Sequence, residues 1–369
     1  MSDFHGIIFA YSASPELREL VSHRTAASLP FCGRYRLIDF ALSSMMNAGV
    51  RDVGVIMQRD YQSLLDHVGS GKAWDMSLKN GGLRILPPFG LPEYHKGNYS
   101  GTMEALNAVA SYIRDIPQKH IVMMLGNVCA NVDLAAAMQQ HVKSGLPVTA
   151  ICTAAHPAFD HHSYITDENG DACDIIYGTG SDESAASLEA YIIEKDTLLE
   201  MMARCRASNL YRFHQDGITV YLRNGGKMGI YMHRGYAAAI RSVDDYFKAS
   251  SDVLRGEVRR SLFPKDRPVR TRNLEGVSTY YGEKAVSRNS LVADNCIIEG
   301  ELDNCIVFPG VRVSEGAVIK NSVIMNGCVI EKGAKLECVI ADKNCIVSGG
   351  TELKGNEKLP VVMPKGSSI

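Results

Sequence analysis

Basic side chains are concentrated in a short N-terminal stretch of the chain. They are His23, Arg24, Arg34 and Arg36. The planar guanidinium group of arginine presents its donors in a fixed fork, which binds phosphate through two hydrogen bonds at once. The same fork also forms salt bridges with carboxylates at a surface or an interface. The stretch is therefore a candidate phosphate site, and salt bridging is the plainer alternative.

A second candidate for chemistry is the run Asp160-His161-His162. Imidazole nitrogens and carboxylate oxygens are common metal ligands, so the run raises the question of a metal site. Adjacent residues in a loop, however, rarely converge on one ion. The sequence therefore favours a solvated loop here, and it predicts no metal bound by this chain.

Composition limits the classes of protein that the chain can represent. Charged residues make up 22% and hydrophobic residues 46%, with a formal net charge of -2. These values are ordinary for a soluble globular protein and favour neither nucleic acid nor an anionic membrane as a partner. The first residues show no signal-peptide pattern, and no apolar run reaches the roughly 18 residues that span a bilayer. We therefore expect a cytoplasmic protein.

The elements that must position these residues change in character along the chain. Up to about residue 245, apolar strand-like runs alternate with longer helical patterns. The predicted strands are 6–10, 52–57, 120–125, 148–154 and 190–194. The predicted helices include 38–48, 61–69, 103–113, 134–143 and 197–207. Such alternation predicts an α/β domain with a mostly parallel sheet, helices on its faces and ligands at the strand carboxyl ends.

A short repeat begins at about Tyr280. Its unit is a turn former, a small residue, any residue and an aliphatic residue, at spacings near five to six and their doubles. It recurs at 295–298, 304–307, 316–319, 327–330, 333–336 and 344–347. This period predicts a left-handed parallel β-helix over residues 280–369, in which small and aliphatic side chains stack inward. Ordinary antiparallel strands are the alternative.

The ten cysteines are scattered singly and include no Cys-x-x-Cys pair. This pattern disfavours zinc and is typical of reduced thiols. Five of them fall at the small stacking position of the repeat or its equivalent: Cys296, Cys305, Cys328, Cys338 and Cys345. We interpret these five as core-filling residues rather than ligands or nucleophiles.

Two segments are assigned to connections. Residues 246–279 contain a helix and then the polar, proline-flanked stretch 263–268, which we interpret as a linker after a first domain at 1–245. Trp74, with the glycines at 69, 71, 81 and 82, predicts a long loop, either the remnant of a lid or a subunit contact. The sequence leaves that choice open.

One motif makes the resemblance to a known family specific. Residues 31–43 read FCGRYRLIDFALS and are followed by NAGV at 47–50. This run resembles the F-G-G-x-[YF]-R-[IL]-I-D-F-x-L-S…N-[SA]-G-[IV] segment of glucose-1-phosphate adenylyltransferases. Residues 99–102 and 242–250 are similar to two further segments of that family. The resemblance covers nearly the whole chain and implies a nucleotidyltransferase-like, Rossmann-like domain before the hexapeptide β-helix.

The chain departs from the family at the phosphate loop. Active members carry G-G-x-G-T-R-L, whose glycines admit phosphates to backbone N–H groups and whose arginine stabilises the transferring charge. The matching residues 11–17 read YSASPEL, with Glu16 at the arginine position. Downstream, Ala26 stands where the family's K-R-x-K-P-A-V run has its second lysine. The resemblance therefore implies a loop that no longer holds a triphosphate.

The metal and sugar positions depart in the same direction. The carboxylate of the family's L-x-G-D motif is matched by Asn127, and that of D-V-G-T by Ala239. Magnesium prefers hard anionic oxygens, and neither residue supplies one. The sugar-phosphate lysine of the E-K-P motif has no counterpart in residues 174–177. We therefore expect Glu16, Ala26, Asn127 and Ala239 to mark a degenerate catalytic site.

The resemblance also suggests which binding functions remain. Positions that match Arg24 and Arg36 help to hold phosphate-bearing allosteric effectors in catalytic relatives, so these residues, with Arg34 and His23, are candidates for an effector site. Gly101 and Thr102 are candidates for a vestigial nucleotide pocket. The alternative for this pair is a cap on the helix that begins near Met103.

These expectations combine into one hypothesis and two rivals. The chain resembles the non-catalytic D subunit that accompanies a catalytic subunit of bacterial ADP-glucose pyrophosphorylase in glycogen synthesis. It would regulate or scaffold that partner, most simply in a heterotetramer, while the partner uses Mg²⁺ to make ADP-glucose and pyrophosphate from ATP and glucose 1-phosphate. The rivals are a weakly active adenylyltransferase and a free-standing sensor of sugar phosphate or nucleotide.

Overall fold

The structure, a computed structural model, describes residues 3–11, 14–58, 60–87, 99, 101–154, 162–178, 185–273 and 276–369. None of the helices in these ranges combines the length and the apolar character needed to cross a membrane.

The N-terminal region is built on a mixed β-sheet. The strands of the region, in chain order, are β1 (Phe4–Phe9), β2 (Pro30–Phe31), β3 (Tyr35–Arg36), β4 (Val53–Ile56), β5 (Leu83–Leu86), β6 (His120–Leu125), β7 (Val128–Ala130), β8 (Val148–Ala154), β9 (His162–Thr166), β10 (Ala172–Tyr177), β11 (Ala185–Glu194), β12 (Met228–His233) and β13 (Ala237–Ala239). In the described residues the main sheet has nine strands in the order β5-β4-β1-β6-β11-β8-β12-β10-β9. Strands β5, β4, β1 and β6 are mutually parallel, as are β8 and β12, whereas the other neighbours are antiparallel.

Helices cover both faces of this sheet. They are α1 (Ile38–Asn47), α2 (Gln62–Val68), α3 (Thr102–Ala108), α4 (Ala110–Asp115), α5 (Leu134–Ser144), α6 (Lys195–Ala207), α7 (Thr219–Arg223), α8 (Val243–Val253) and α9 (Gly256–Leu262). Alternate residues of a strand face opposite sides. Accordingly, Ile8 belongs to an apolar cluster with α1 and α5, whereas Ile7 and Phe9 belong to one with α3, α4 and α6. The predicted α/β architecture is confirmed, but the sheet is mixed rather than mostly parallel, because β11 runs antiparallel to β6, β8 and β9, and β10 runs antiparallel to β12 and β9.

One predicted helix is in fact two. The pattern over 103–113 predicted a single helix, but α3 and α4 meet at Val109, whose backbone leaves the helical region (φ -108, ψ 20). Valine is β-branched and has a low helix propensity, so it tolerates the break. The hydrophobic spacing continues through Val109, which is why the sequence pattern did not reveal the break.

Trp74 lies in the long loop that the sequence predicts between α2 and β5, but its side chain packs inside this chain rather than in a lid or a subunit contact. Trp74 ends a 3-10 helix, Lys72–Trp74, and its side chain is fully buried. Its indole Nε1 donates a hydrogen bond to the carbonyl oxygen of Arg270 at 3.2 Å. Gly69 and Gly71, both at positive φ, turn the chain just before this helix. The glycines therefore allow the turns that bring a core residue inward.

The C-terminal region is a left-handed parallel β-helix, as predicted. Its strands are β14 (Tyr280–Tyr281), β15 (Val286–Arg288), β16 (Leu291–Val292), β17 (Ile297–Ile298), β18 (Glu301–Asp303), β19 (Ile306–Val307), β20 (Arg312–Val313), β21 (Val318–Lys320), β22 (Val323–Ile324), β23 (Val329–Ile330), β24 (Lys335–Glu337), β25 (Val339–Ala341), β26 (Ile346–Val347), β27 (Glu352–Lys354) and β28 (Val361–Met363). They form three parallel sheets of five strands, one on each side of the coil.

The turn formers of the repeat lie at the corners of the coil. Asn295, Asn304 and Asn344 adopt left-handed backbone conformations with φ of 62°, 53° and 59°. Asparagine tolerates this region better than other residues with a side chain, which explains its recurrence. Among the predicted core cysteines, Cys296, Cys305, Cys328 and Cys345 stack inside the coil. Cys338 is also buried, but it lies in the apolar contact between the two domains.

This contact between the domains continues through the segment that was assigned as a linker. The proposed boundary at 245/246 falls inside α8, whose Tyr246 and Phe247 pack in one cluster with Ile306 and Ile340 of the β-helix. The proline-flanked stretch 263–268 is held against the first domain. Asn131 Nδ2 donates to the carbonyl oxygens of Leu262 and Arg267, each at 2.8 Å. The connection is therefore a packed part of the structure.

Candidate functional site

The two positions expected to have lost metal carboxylates are neighbours in space. Strands β1 and β6 are parallel, and Asn127 follows the carboxyl end of β6. The short pair β7–β13 places Ala239 opposite Val128. Asn127 in turn exchanges backbone and side-chain bonds with Ile240, the residue after Ala239. The fold therefore places the two positions side by side at the strand ends.

The chemistry at this location does not fit magnesium. Asn127 is 3% exposed, and its Nδ2 donates to the Ile240 carbonyl oxygen at 2.9 Å. Ala239 is 1% exposed and packs in the apolar cluster beneath the sheet. A magnesium ion needs anionic oxygen ligands in a near-octahedral arrangement. A neutral amide committed to the backbone and a methyl group provide none.

The described part of the first loop, from residue 14 onward, contributes apolar anchors. After β1, residues 12 and 13 lie outside the described part, and a 3-10 helix follows at Pro15–Val21. Leu17 and Leu20 of that helix are fully buried, whereas Glu16 is exposed on its other side. Proline at the first turn also removes one N–H donor. The helix is thus fastened to the core by its leucines.

The remaining degenerate position is apolar as well. Ala26 begins a 3-10 helix, Ala26–Ser28, and is 1% exposed in the cluster between the domains. A lysine side chain at this place would carry its charge into or past that cluster. The structure therefore explains why alanine fits here without requiring any ligand.

Gly101 and Thr102 stand at the start of α3. Thr102 is the first helical residue, and Gly101 occupies the N-cap position without a capping side chain. A Cβ atom on Gly101 would collide with the carbonyl oxygen of Tyr211. That carbonyl accepts a hydrogen bond from the Met103 amide at 3.0 Å. Close backbone approach alone therefore accounts for the glycine, and a role for the pair in nucleotide binding stays a prediction.

A cavity of about 590 Å³ lies between the two domains, and basic residues line it. Arg34 lies in the turn of the hairpin β2–β3, and Arg36 lies in β3. Arg272 comes from the segment after α9. Lys343 comes from a corner of the β-helix. Arg34 and Arg36, which were expected to act together, thus line one cavity. The tertiary structure adds Arg272 and Lys343 from distant parts of the chain.

Arg24 has a different environment from the other two arginines. It forms a buried ion pair with Asp342 of the β-helix, in which the side chains are 4% and 1% exposed. His23, its neighbour, is exposed and is not among the residues that line the cavity. Arg24 therefore forms a salt bridge, which is the plainer alternative that the sequence offered. Arg34 and Arg36 line the cavity, where a ligand can contact them.

The charged side chains that line the cavity are mainly basic, with the carboxylate of Asp294 beside them. Burial, together with the charges of Arg36 and Arg24, lowers the pKa of Lys343 to about 8. Burial likewise lowers the pKa of Arg36 to about 10, although Asp39 opposes the shift. Arg36 Nη1 donates to Ser63 Oγ at 2.9 Å, which fixes its head group. Like charges forced together in a partly buried space are relieved when an anion enters.

A second group of polar residues lies at the same sheet edge as Asn127. Glu189 precedes Tyr191, which pairs with Met123 of β6, so Glu189 lies toward the carboxyl end of that strand. It forms an ion pair with Arg241 at 2.6 Å and faces His214 at 3.5 Å. Burial opposes its ionisation, but His214 and Arg241 outweigh this and hold the pKa of Glu189 below its ordinary value.

His162 belongs to this group, which corrects the expectation of a solvated loop. It begins β9, is 2% exposed, and its ring centroid lies 4.0 Å from that of His214. Asp160 and His161 lie outside the described residues. No local pattern indicated Glu189 or His214 as partners, because they come from a strand and a π-helix far along the chain.

Comparison with known proteins agrees with the fold. The model of the nucleotidyl transferase family matches residues 6–169, and that of the GlmU-like C-terminal hexapeptide family matches residues 276–359. The glycogen biosynthesis protein GlgD of Bacillus subtilis (strain 168) is 30% identical over 98% of this chain and 95% of its own length. The glucose-1-phosphate adenylyltransferase of Bacillus anthracis is 27% identical over 97% of this chain and 96% of its own length. That of Bacillus mycoides (strain KBAB4) is 26% identical with the same coverage.

These matches extend through both domains and the segment between them. They agree with the motif at 31–43, whose hairpin and helix α1 support the basic cavity. The identity and coverage together exceed what a shared sheet topology alone would give. This chain therefore belongs to the glucose-1-phosphate adenylyltransferase family and is a glycogen biosynthesis protein similar to GlgD.

Proposed function

We propose that this chain is a catalytically degenerate, regulatory or scaffolding subunit of ADP-glucose pyrophosphorylase. It assembles with a catalytic homologue, most simply as a heterotetramer, and changes that partner's turnover, substrate affinity or response to effectors. The partner supplies the Mg²⁺ site and converts ATP and glucose 1-phosphate into ADP-glucose and pyrophosphate.

One observation carries the proposal. Asn127 and Ala239 stand together at the strand ends, where a carboxylate pair would face the nucleotide, and both are engaged by the fold itself. Nucleotidyl transfer depends on positioning and on neutralising phosphate charge rather than on covalent chemistry by the protein. Loss of both carboxylates removes the metal template and its charge together.

The basic cavity supports a regulatory role over a purely structural one. A scaffold needs no cavity with Arg34, Arg36, Arg272 and Lys343 on its wall. Arg34 and Arg272 are exposed, whereas Arg36 and Lys343 are half-buried. Cations held close together repel one another, and a bound anion relieves this repulsion. The cavity also lies between the domains, so an anion held there contacts both. We assign it to a phosphorylated metabolite that regulates the assembled enzyme.

The test is an assay of three samples: the purified chain, the catalytic homologue, and the two co-expressed. We expect one hetero-oligomer in size-exclusion chromatography, no ADP-glucose synthesis by this chain alone, and altered kinetics in the mixture. Separate elution of the two chains at micromolar concentration would remove the subunit proposal.

The same samples distinguish the rival functions. Mg²⁺-dependent turnover by this chain alone identifies the weakly active adenylyltransferase. Absence of both turnover and assembly, combined with tight binding of a sugar phosphate or nucleotide, identifies the free-standing sensor. Each rival therefore predicts a pattern that the subunit proposal does not share.

A further inference from the structure

His162, Glu189 and His214 converge at the sheet edge in a way that the proposed regulatory role does not require. One ligand atom from each of them lies within 4.8 Å of the others. They come from β9, from β11 and from the π-helix Phe213–Ile218, so their convergence is a product of the tertiary structure. We propose that these three side chains bind a divalent transition-metal ion of the zinc type.

The surrounding hydrogen bonds orient the ligands. Tyr191 Oη lies 2.9 Å from His214 Nδ1, which leaves Nε2 of that ring facing Glu189 Oε2 at 3.5 Å. The Arg241 guanidinium holds the other carboxylate oxygen, Oε1, at 2.6 Å. Histidine ligands of metals usually have a second-shell partner on the other ring nitrogen, which fixes the tautomer and the orientation of the ring. Both His214 and Glu189 are thus fixed with one ligand atom turned toward the cluster.

Glu189 is kept here at a conformational cost. Its φ is 51°, in the left-handed region, at an irregularity where the register of β11 against β8 shifts between Ser187 and Ala190. A residue with a side chain is disfavoured there, and glycine would be accommodated freely. The ion pair with Arg241 offsets part of this cost, but it uses only one of the two carboxylate oxygens. The second oxygen, Oε2, faces His214 Nε2 at 3.5 Å, and an ion bound between these two atoms would replace their mutual contact.

The ligand set selects the class of metal. Two imidazoles and one carboxylate suit zinc and its neighbours, whereas magnesium and calcium prefer oxygen ligands alone. Three protein ligands leave a coordination position for water or an anionic oxygen. The site is distinct from the lost Mg²⁺ position at Asn127 and Ala239, although it lies at the same edge. It departs from the expectation that this chain holds no metal.

The test uses the full chain, stripped with a chelator and titrated with Zn²⁺ in a calorimeter and with Co²⁺ in a spectrophotometer. We expect one zinc ion per chain and the intense visible absorption of four-coordinate cobalt. His214→Ala and Glu189→Gly should each weaken zinc binding by at least about 10–100-fold, the range known for groups that support a metal site. Cys173→Ser, which removes an exposed thiol outside the cluster, should bind zinc like the unmodified chain.

Glu189→Gly is the sharper variant, because glycine suits the backbone at this position and the fold should survive the change. Circular dichroism checks that it does. If His214→Ala does not fold, the zinc affinity of Glu189→Gly and the cobalt spectrum of the unmodified chain still test the proposed metal site. Equal zinc affinity in the unmodified chain and Glu189→Gly, a loss of binding in Cys173→Ser, or the absence of a one-to-one complex would overturn the proposal.

Discussion

The sheet edge at Asn127 and the cavity between the domains differ in the side chains that they present. At the sheet edge the backbone pairing of β7 with β13 is intact, but the side chains are an amide and a methyl group. At the cavity the charges are present, with Arg34, Arg36 and Lys343 on one wall or another. Positions 127 and 239 of the first region therefore carry no charge, whereas several charged side chains line the second region.

Under the proposed function this difference is expected, because catalysis and regulation depend on a fold in different ways. Catalysis requires charges placed within a fraction of an ångström of the reacting atoms, and loss of one group disables the rest. Regulation requires only that an anion binds and changes how the two domains pack against each other. A chain that assembles with an active homologue can therefore lose the first function and keep the second.

The largest effect that we expect is on turnover. The chain alone, and the variant Asn127→Asp, should show no Mg²⁺-dependent pyrophosphate exchange. A carboxylate at position 127 would face the Ile240 carbonyl oxygen, which now accepts the Asn127 Nδ2 hydrogen bond, and Ala239 would still supply no second ligand. The lost hydrogen bond should also lower the free energy of unfolding by about 1–3 kcal/mol. A catalytic homologue serves as the positive control. Turnover by this chain in the ordinary range of about 1–10³ s⁻¹ would contradict the prediction that its sheet edge is catalytically inactive.

The next effect is on stability at the ion pair beside the cavity. Asp342→Asn leaves Arg24 as an unpaired buried charge, which should lower the free energy of unfolding by about 3–5 kcal/mol. Urea denaturation followed by circular dichroism measures the change. The matched control, Arg24→Leu in the Asp342→Asn background, removes the unpaired charge, keeps the side-chain oxygen that accepts from the Lys343 amide, and should recover most of the loss. A single variant as stable as the unmodified chain would mean that the pair does not fasten the β-helix to the first domain.

A smaller effect is expected on anion binding. Arg36→Ala removes a charge-assisted donor from the cavity and should weaken pyrophosphate binding by about 1.5–3 kcal/mol, roughly 10–150-fold. Isothermal titration calorimetry measures it. Arg255→Ala, at an exposed arginine of another region, is the control and should leave the affinity unchanged. Identical affinities in all three proteins would place the anion elsewhere.

The smallest effect is a pH dependence set by Lys343. Its pKa of about 8 in the folded chain is below the ordinary value of 10.5, so the free energy of unfolding should rise as pH increases from about 8 toward 10.5. A bound anion favours the charged lysine, so sulfate, whose charge is constant in this range, should bind up to about tenfold more weakly at pH 9 than at pH 7. Lys343→Met should abolish that difference. If the variant kept the pH dependence of sulfate binding, a group other than Lys343 would be its cause.

Several features could be predicted from local patterns because their causes are local. The strand 120–125 was predicted at the residues where β6 is observed, since a strand needs only a run of apolar residues between turns. The β-helix could be predicted because Asn and Gly recur where a left-handed corner is required. The substitutions at Asn127 and Ala239 could be identified because they fall inside recognisable motifs.

Other features depend on contacts between distant residues and have no local pattern. The buried Trp74 indole donates a hydrogen bond to the carbonyl oxygen of Arg270, which lies far along the chain. His162 lies in a cluster with Glu189 and His214, which come from other elements. The basic stretch near the N terminus predicted a phosphate site, but the spacing of its residues could not separate their roles. Only the packing of the β-helix against the first domain pairs Arg24 with Asp342 and leaves Arg36 facing Lys343 across a cavity.

The sequence by itself therefore determined the family, the order of the two domains and the absence of a carboxylate at positions 127 and 239, because motifs and repeats are patterns of neighbouring residues. The tertiary structure alone decided which arginine is consumed by an ion pair, which ones border a cavity and which histidine meets a carboxylate. Charge–charge and metal–ligand interactions act over a few ångströms in space, and the chain brings those atoms together only when it is folded.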